Sequence, residues 1–542
     1  GAAAGTGNLL SVKGVNSAKW IAGFQKLHFD ATGVAAGETM LTITDTANRT
    51  ALDWNALTAT GTARGIDLIY HEQGIDLSHY TAGSVKSALS KDGKSEYDIE
   101  AVDEGGTVKR IAYNSYQFKG ARTAESSIYH ETWGGRSVIG NTTTRNEITV
   151  SSGTHTDVYG GWTRGASSQT ATADKGNSTH NKVTVNGSAA VSGTVYGGFT
   201  NVANGKATNN EVHLNGVTVA SVYGGSGGTA NENEVHLDGV TVTWTVHGGH
   251  TEGGTANENK VHLSGGEVRG DVFGGDGLTA NDNVVSLSNG ATVTGDVYGG
   301  NAATTNNNIV NIDRATVTGT IRGGEDGSTG NTLNVAGTNT AANIVGFQKV
   351  AFNMNGVAAH GTMLNLTGGA ATKVDWTNLT ATGTAVKPLT LLKNDSGIDL
   401  VGYTGAAKSE TTDTTETNVD VRKNNDGKVT EITYEGYQFA GVTAPVISGT
   451  DVYGGISRAG NATHTNHITV NSDYTNVYGG HTSGTSTTAV EKKNSHDNTV
   501  TITGGALGNV YGGYTAAADG TTTGNTVTLA GGTVTGTVSG GN

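Results

Sequence analysis

The chain has no cysteine, so disulfides, thiolate metal sites and cysteine nucleophiles are excluded, and the redox compartment cannot be read. It has only two prolines, Pro388 and Pro445, which argues against a proline-rich linker or a collagen-like chain. Aromatic residues are 6% and charged residues 15% of the total, so a large lipid-like core is not the source of stability. Cations are the scarcer charge: 33 Lys and Arg against 47 Asp and Glu give a formal net charge of −14. Nucleic acid and anionic lipid are thereby disfavoured as partners. No apolar run approaches the roughly 20 residues of a membrane helix, so direct membrane insertion is not expected. Gly1 opens no signal peptide, and no barrel-like series of alternating strands is seen. These absences leave either a soluble protein or a segment cut from a longer secreted one, and the repeats described next favour the segment.

What the chain does have is glycine, 85 of 542 residues, about twice ordinary usage. Much of it sits in one recurring stretch, Val222-Tyr223-Gly224-Gly225. The stretch returns around Tyr159, Tyr196, Tyr298, Tyr453, Tyr478 and Tyr511, with degenerate copies at Trp133, His247, Phe273, Arg322 and Ser539. The first glycines at 224, 248, 274, 299 and 323 are spaced 24, 26, 25 and 24 residues apart. A period near 25 signals a repeat architecture and overrides a domain count based on length.

Within one period, Val212 and Leu214 alternate with polar neighbours, Asn215-Gly216 marks a turn, Val217 and Val219 alternate again, and Val222 opens a third segment. Three short strands per period and no sustained helical spacing predict an all-β β-solenoid with about 25 residues per coil. The distance from Gly-Gly to the next Asn-x-apolar-x-apolar varies, whereas the distance onward to the following Gly-Gly stays near 14. Length variation is therefore confined to the turn after Gly-Gly, which puts the long loops on one edge. The longest begin at Trp162 and His481, and these two residues are the candidate binding positions.

An asparagine opens each such segment: Asn146, Asn181, Asn210, Asn233, Asn259, Asn283, Asn308, Asn331, Asn466, Asn498 and Asn525. Its parity matches the apolar residues, so it points inward. Coils stacked about 4.8 Å apart let these amides form a ladder; the plainer reading is an asparagine tolerated at a left-handed turn. Tyr159, Tyr196, Tyr223, Phe273, Tyr298, Tyr453, Tyr478 and Tyr511 are expected to stack likewise, as a structural column rather than a sugar-binding strip. Gly224 and Gly225 are read as a positive-φ corner with no room for Cβ.

A longer repeat encloses the short one. Ala22-Gly23-Phe24-Gln25-Lys26 returns as Val345-Gly346-Phe347-Gln348-Lys349, Gly33-Val34-Ala35-Ala36 as Gly356-Val357-Ala358-Ala359, and Thr39-Met40-Leu41 as Thr362-Met363-Leu364. The organisation expected is a coil at 1–22, a β-rich module at 23–122, an array at 123–343, the module again at 344–445 and an array at 446–542. Each module carries a hairpin signature, at Asp103-Glu104-Gly105-Gly106 and at Asn424-Asn425-Asp426-Gly427, expected to project from the coils or pack along them.

The Gly-Phe-Gln, Gly-Val-Ala-Ala and Thr-Met-Leu modules followed by Val-Tyr-Gly-Gly arrays resemble the passenger regions of large autotransporter adhesins of Gram-negative bacteria, over nearly the whole chain. The resemblance implies a right-handed parallel β-helix, secretion to the cell surface with outer-membrane anchoring through another part, and an adhesive or self-associating role. The implied partner is a host or bacterial surface glycan or protein. No catalytic or receptor residues carry over.

Chemical motifs are few. His213, His236 and His262 share one outward register and could bind a transition metal, but a solvated column is the preferred reading, with no metal assigned. Arg269-Gly270-Asp271 spells an integrin tripeptide but belongs to a local turn pattern. Acidic glycine loops such as Gly274-Gly275-Asp276-Gly277 and the stretch from Gly323 to Gly327 suggest loop calcium but lack the nine-residue period. No cofactor is assigned. Enzyme signatures are missing, so the chain is expected not to be an enzyme. The favoured function is an adhesin. The alternatives are a self-assembling filament or biofilm matrix protein and, third, a polysaccharide-active β-helix enzyme.

Overall fold

The computed structural model describes residues 6–61, 63, 65–90, 92–126, 130–165, 175–325, 327–383, 388–484 and 493–542. The fold is a β-solenoid of about 19 turns with coils of about 26 residues; 57% of the chain is strand. One 3-10 turn, Trp54–Ala56, stands among the described residues, and no α-helix. The chain forms two compact units, Gly1–Ser286 with Val293–Asn308, and Leu287–Thr292 with Ile309–Asn542.

In the first unit a coil consists of three strands, for example Glu211–Asn215, Thr218–Val219 and Ser221–Ser226. The next coil repeats them parallel and in register. Val212 faces Val235, His213 faces His236, Thr218 faces Thr241, and Val222 faces Val246. Alternation does the sorting: Val212, Leu214, Val219 and Val222 are buried, and Glu211, His213, Asn215 and Thr218 face out. A slip of one residue would turn every valine outward, so the apolar pattern fixes the register. Gly216 takes φ 62 at the turn between the first two strands, where its Cβ-free backbone is needed.

The repeated module belongs to the same architecture. In the first unit, Asn16–Ala18, Thr39–Ile43 and Ile66–His71 stack in parallel. The hairpin of Ser95–Asp103 and Val108–Gln117 then lies antiparallel on Ile66–His71. The second unit repeats this with Asn339–Ala341, Thr362–Leu366 and Leu389–Asn394, followed by Thr415–Lys423 and Val429–Gln438. The hairpins therefore neither project nor pack along the coils. They extend the coil sheet in its own plane and reverse its strand direction.

In the first copy this join is closed by Phe29, Met40, Leu68, Ile69, Ile111 and Tyr113, all fully buried in one cluster. Glu96 of the first hairpin is also fully buried. It accepts hydrogen bonds from Ser137 Oγ (2.7 Å), Asn141 Nδ2 (2.7 Å) and the Val138 amide (2.5 Å), on the first coil of the array that follows. Glu416 does the same with Ser457 Oγ (2.7 Å), Asn461 Nδ2 (2.6 Å) and the amides of Arg458 and Ala459.

Candidate functional site

The inner asparagines form a continuous column in each array. In the first unit each Nδ2 donates to the Oδ1 of the next: Asn146 to Asn181 (2.8 Å), Asn181 to Asn210 (3.0 Å), Asn210 to Asn233 (3.0 Å), Asn233 to Asn259 (3.0 Å), Asn259 to Asn283 (3.1 Å) and Asn283 to Asn308 (3.1 Å). The same Oδ1 also accepts the backbone amide of the preceding asparagine, at 3.0 Å from Asn210 to Asn233. In the second unit Asn466 donates to Asn498 and Asn498 to Asn525. All but Asn525 are buried. Asn331 opens a shorter coil: its backbone amide donates to Gln348 Oε1 (2.9 Å), as that of Asn8 does to Gln25 Oε1 (3.0 Å).

The left-handed residue is the one before the asparagine. Arg145, His180, Asn209, Glu232, Glu258, Asp282, Asn307, Thr465 and Asp497 all have φ between 52 and 58. The Gly-Gly corner is corrected accordingly. Gly224 and Gly225 lie inside the strand Ser221–Ser226, and neither has a positive φ. Their recurring smallness answers to space alone. A Cβ on Gly224 would stand 2.9 Å from Asn233 Cβ and collide with the Gly248 carbonyl; one on Gly225 would stand 2.5 Å from Asn233 Nδ2. Glycine lets the strand close onto the asparagine column.

On the outer face of that strand the rings stack. Centroids run Tyr159–Tyr196 4.9 Å, Tyr196–Tyr223 5.1 Å, Tyr223–His247 4.6 Å, His247–Phe273 4.5 Å and Phe273–Tyr298 4.7 Å. Tyr453, Tyr478 and Tyr511 stack at 5.1 and 5.2 Å. Burial pushes the phenols up, to about 12 for Tyr196 and Tyr478, so they remain neutral donors.

Trp162 and His481 are strand residues, in Val158–Thr163 and Tyr474–Thr482, and not loop residues as their positions after Gly-Gly suggested. The loop residues 166–174 and 485–492 lie outside the described residues. Trp162 stacks on Tyr159 (4.9 Å), and His481 on Tyr514 (4.8 Å). Both stand where an array meets its module hairpin, and there the two copies differ. In the first, the Arg136 guanidinium fills the position, 4.4 Å from the ring centres of Trp133 and Trp162 and 4.8 Å from that of Tyr116. In the second, Ile456 stands in place of Arg136, as the pairings Arg136–Trp162 and Ile456–His481 show. There a cavity of about 320 Å³ opens between Tyr437, Tyr453, Ile456, Arg458, His481 and Glu435. Arg458 lies 5.0 Å over the Tyr437 ring, and the Tyr437 hydroxyl donates to Glu435 (3.0 Å). Burial pushes the His481 imidazole down, so it is neutral. The cavity thus offers apolar ring faces beside one cation and one carboxylate.

His213, His236 and His262 stack at 4.5 and 4.9 Å, half-buried on the outside of the coils. Burial first, then the neighbouring imidazole, holds His236 and His262 below the usual histidine range. Asp271 of the Arg-Gly-Asp triplet turns its carboxylate to the Asp296 amide (2.7 Å). Of the acidic loops, Asp276 approaches His247 and His250, at 3.5 and 3.7 Å, and Asp326 lies outside the described residues.

Sequence reasoning missed the roles of Glu96, Glu416, Gln25 and Gln348, although the recurrence of each pair, at offsets of 320 and 323 residues, was a usable signal. No family model, curated protein or solved structure matches the chain.

Proposed function

We propose that the chain is a segment of an extracellular bacterial adhesin, a non-catalytic β-solenoid of the autotransporter-passenger kind that binds a surface glycan. The resemblance of its modules and arrays supports the class. The observation that carries the binding role is the cavity of the second module, lined by Tyr437, His481, Arg458 and Glu435. Tyrosine and histidine faces suit the C–H face of a sugar, and Arg458 and Glu435 suit its hydroxyls. Binding there needs no acid–base pair, only stacking and hydrogen bonds, which fits display rather than turnover.

The test is a glycan array probed with the labelled chain, repeated with Arg458→Ala and His481→Ala, and with Arg269→Ala as a control at the integrin-like triplet. Retained glycans should weaken at least about ten-fold with either cavity variant, since a lost hot-spot contact costs about 2 kcal/mol, and should be indifferent to the control. Absence of any glycan or cell binding, or equal binding by all variants, defeats the adhesin reading. Cleavage of a retained glycan defeats its non-catalytic part. Polymers of the purified chain in electron micrographs would put the filament reading in its place.

A further inference from the structure

Glu234 stands beside the histidine column, one coil below His262. Its Oε1 lies 2.8 Å from His236 Nε2 and 3.6 Å from His262 Nε2. The three ligand atoms all lie within 4.8 Å of one another, the one such group of three among the described residues. Their spacing is imposed by the backbone ladder, which pairs His236 with His262 and Glu234 with Lys260 across neighbouring coils.

A divalent transition metal bonds imidazole nitrogen and carboxylate oxygen at about 2.0–2.2 Å, which sets ligand atoms about 3–3.5 Å apart. The two separations to Glu234 Oε1, 2.8 and 3.6 Å, already bracket that range. We propose that Glu234 Oε1, His236 Nε2 and His262 Nε2 form a site for a divalent transition-metal ion of the zinc class. Two imidazoles and one carboxylate are the donor set that borderline ions prefer over calcium or magnesium. The remaining coordination positions face solvent.

One feature distinguishes this arrangement from an ordinary histidine–carboxylate hydrogen bond. A single carboxylate oxygen serves two ring nitrogens on different coils, while its other oxygen turns to Lys260 Nζ at 3.9 Å. The preceding coil provides an internal contrast. Glu211 Oε2 is engaged by Lys182 at 2.7 Å as well as by His213 at 3.2 Å, so that carboxylate is already neutralised. The site therefore belongs to the Glu234 coil rather than to the column as a whole. It stands apart from the glycan reading and shares no residue with it.

Titration calorimetry of the untagged chain with zinc chloride at pH 7.5 tests the proposal, with calcium and magnesium chloride as comparisons. One zinc per chain is expected, bound at least about ten-fold more tightly than either comparison ion. Glu234→Gln and His262→Ala should each weaken it at least about ten-fold, and His213→Ala should leave it within about two-fold. Lys260→Gln removes the competing cation and should tighten binding, a gain that misfolding cannot mimic. Cobalt in place of zinc should give visible absorption that vanishes in His262→Ala. Zinc binding that is absent, or unchanged by Glu234→Gln, His262→Ala and Lys260→Gln together, overturns the site.

Discussion

At the scale of single residues, the position before each inner asparagine matters most. Thr465 holds φ 52, a conformation in which its branched Cβ crowds the backbone. Thr465→Asn keeps the chain's flexibility in the unfolded state and relieves that crowding. It should raise stability by about 0.5–1 kcal/mol in urea melts, whereas Asn209→Thr, the reverse exchange at an equivalent corner, should lower it by a similar amount. His247 behaves differently. It is buried between Tyr223 and Phe273, its Nε2 meets the Thr245 hydroxyl at 3.2 Å, and its titratable neighbours are Asp276 and His250. Burial, reinforced by His250, holds its pKa at about 3, and the Asp276 carboxylate at 3.5 Å does not offset that burial. The unfolded chain takes up this proton near pH 6.5 and the folded chain only near 3. Stability is therefore full above about 6.5 and falls as pH drops toward 3, by about 2 kcal/mol at pH 5. Hydrogen exchange in this coil should accelerate between pH 7 and 5 after correction for the intrinsic rate. His247→Phe, the residue one coil on, should abolish that part of the pH dependence.

At the scale of elements, the joint between hairpin and array rests on a buried carboxylate. All of its partners donate, so Glu96→Gln loses acceptor capacity at a site closed to water. A cost of about 2–3 kcal/mol is expected, read as earlier thermal unfolding, and Ser137→Ala should remove part of the same energy non-additively. Burial pushes the Glu96 carboxyl up, while the hydrogen bonds from Ser137, Val138 and Asn141 pull it back. These joints also mark where the sequence stopped being readable. The strand triplets followed from valine alternation, and the asparagine column from a spacing of about 25, because both are local patterns that recur. Glu96 and its partners lie 41 to 45 residues apart, and no local period links them. Gln25 and Gln348 escaped because their coils are short: each is 17 residues from its asparagine, and a longer side chain makes up the distance. The Gly-Gly strand was read as a corner because glycine pairs usually mark turns; here it is the asparagine column that leaves no room for a side chain. The hairpin was found, but its direction depends on which coil it meets, which the turn residues do not encode.

At the scale of the whole molecule, stability is a sum of coil-on-coil terms. Asn233 and Asn259 are 26 residues apart, so deleting 233–258 sets Asn210 directly on Asn259 with every strand pairing kept. That variant should retain the far-ultraviolet signature and melt within a few degrees of the parent. Deleting half as many residues brings outward side chains against the column and should unfold the array. The absence of cysteine adds that reductant should change neither melt.

The inner amide column also has a polarity. Each side chain from Asn146 to Asn283 donates toward its C-terminal neighbour, and the same holds from Asn466 to Asn498. Dipoles aligned in this way reinforce one another, and they make each folded turn a template that receives the next only in one orientation. A chain can thus zip itself up one turn at a time, with no choice of direction left to make.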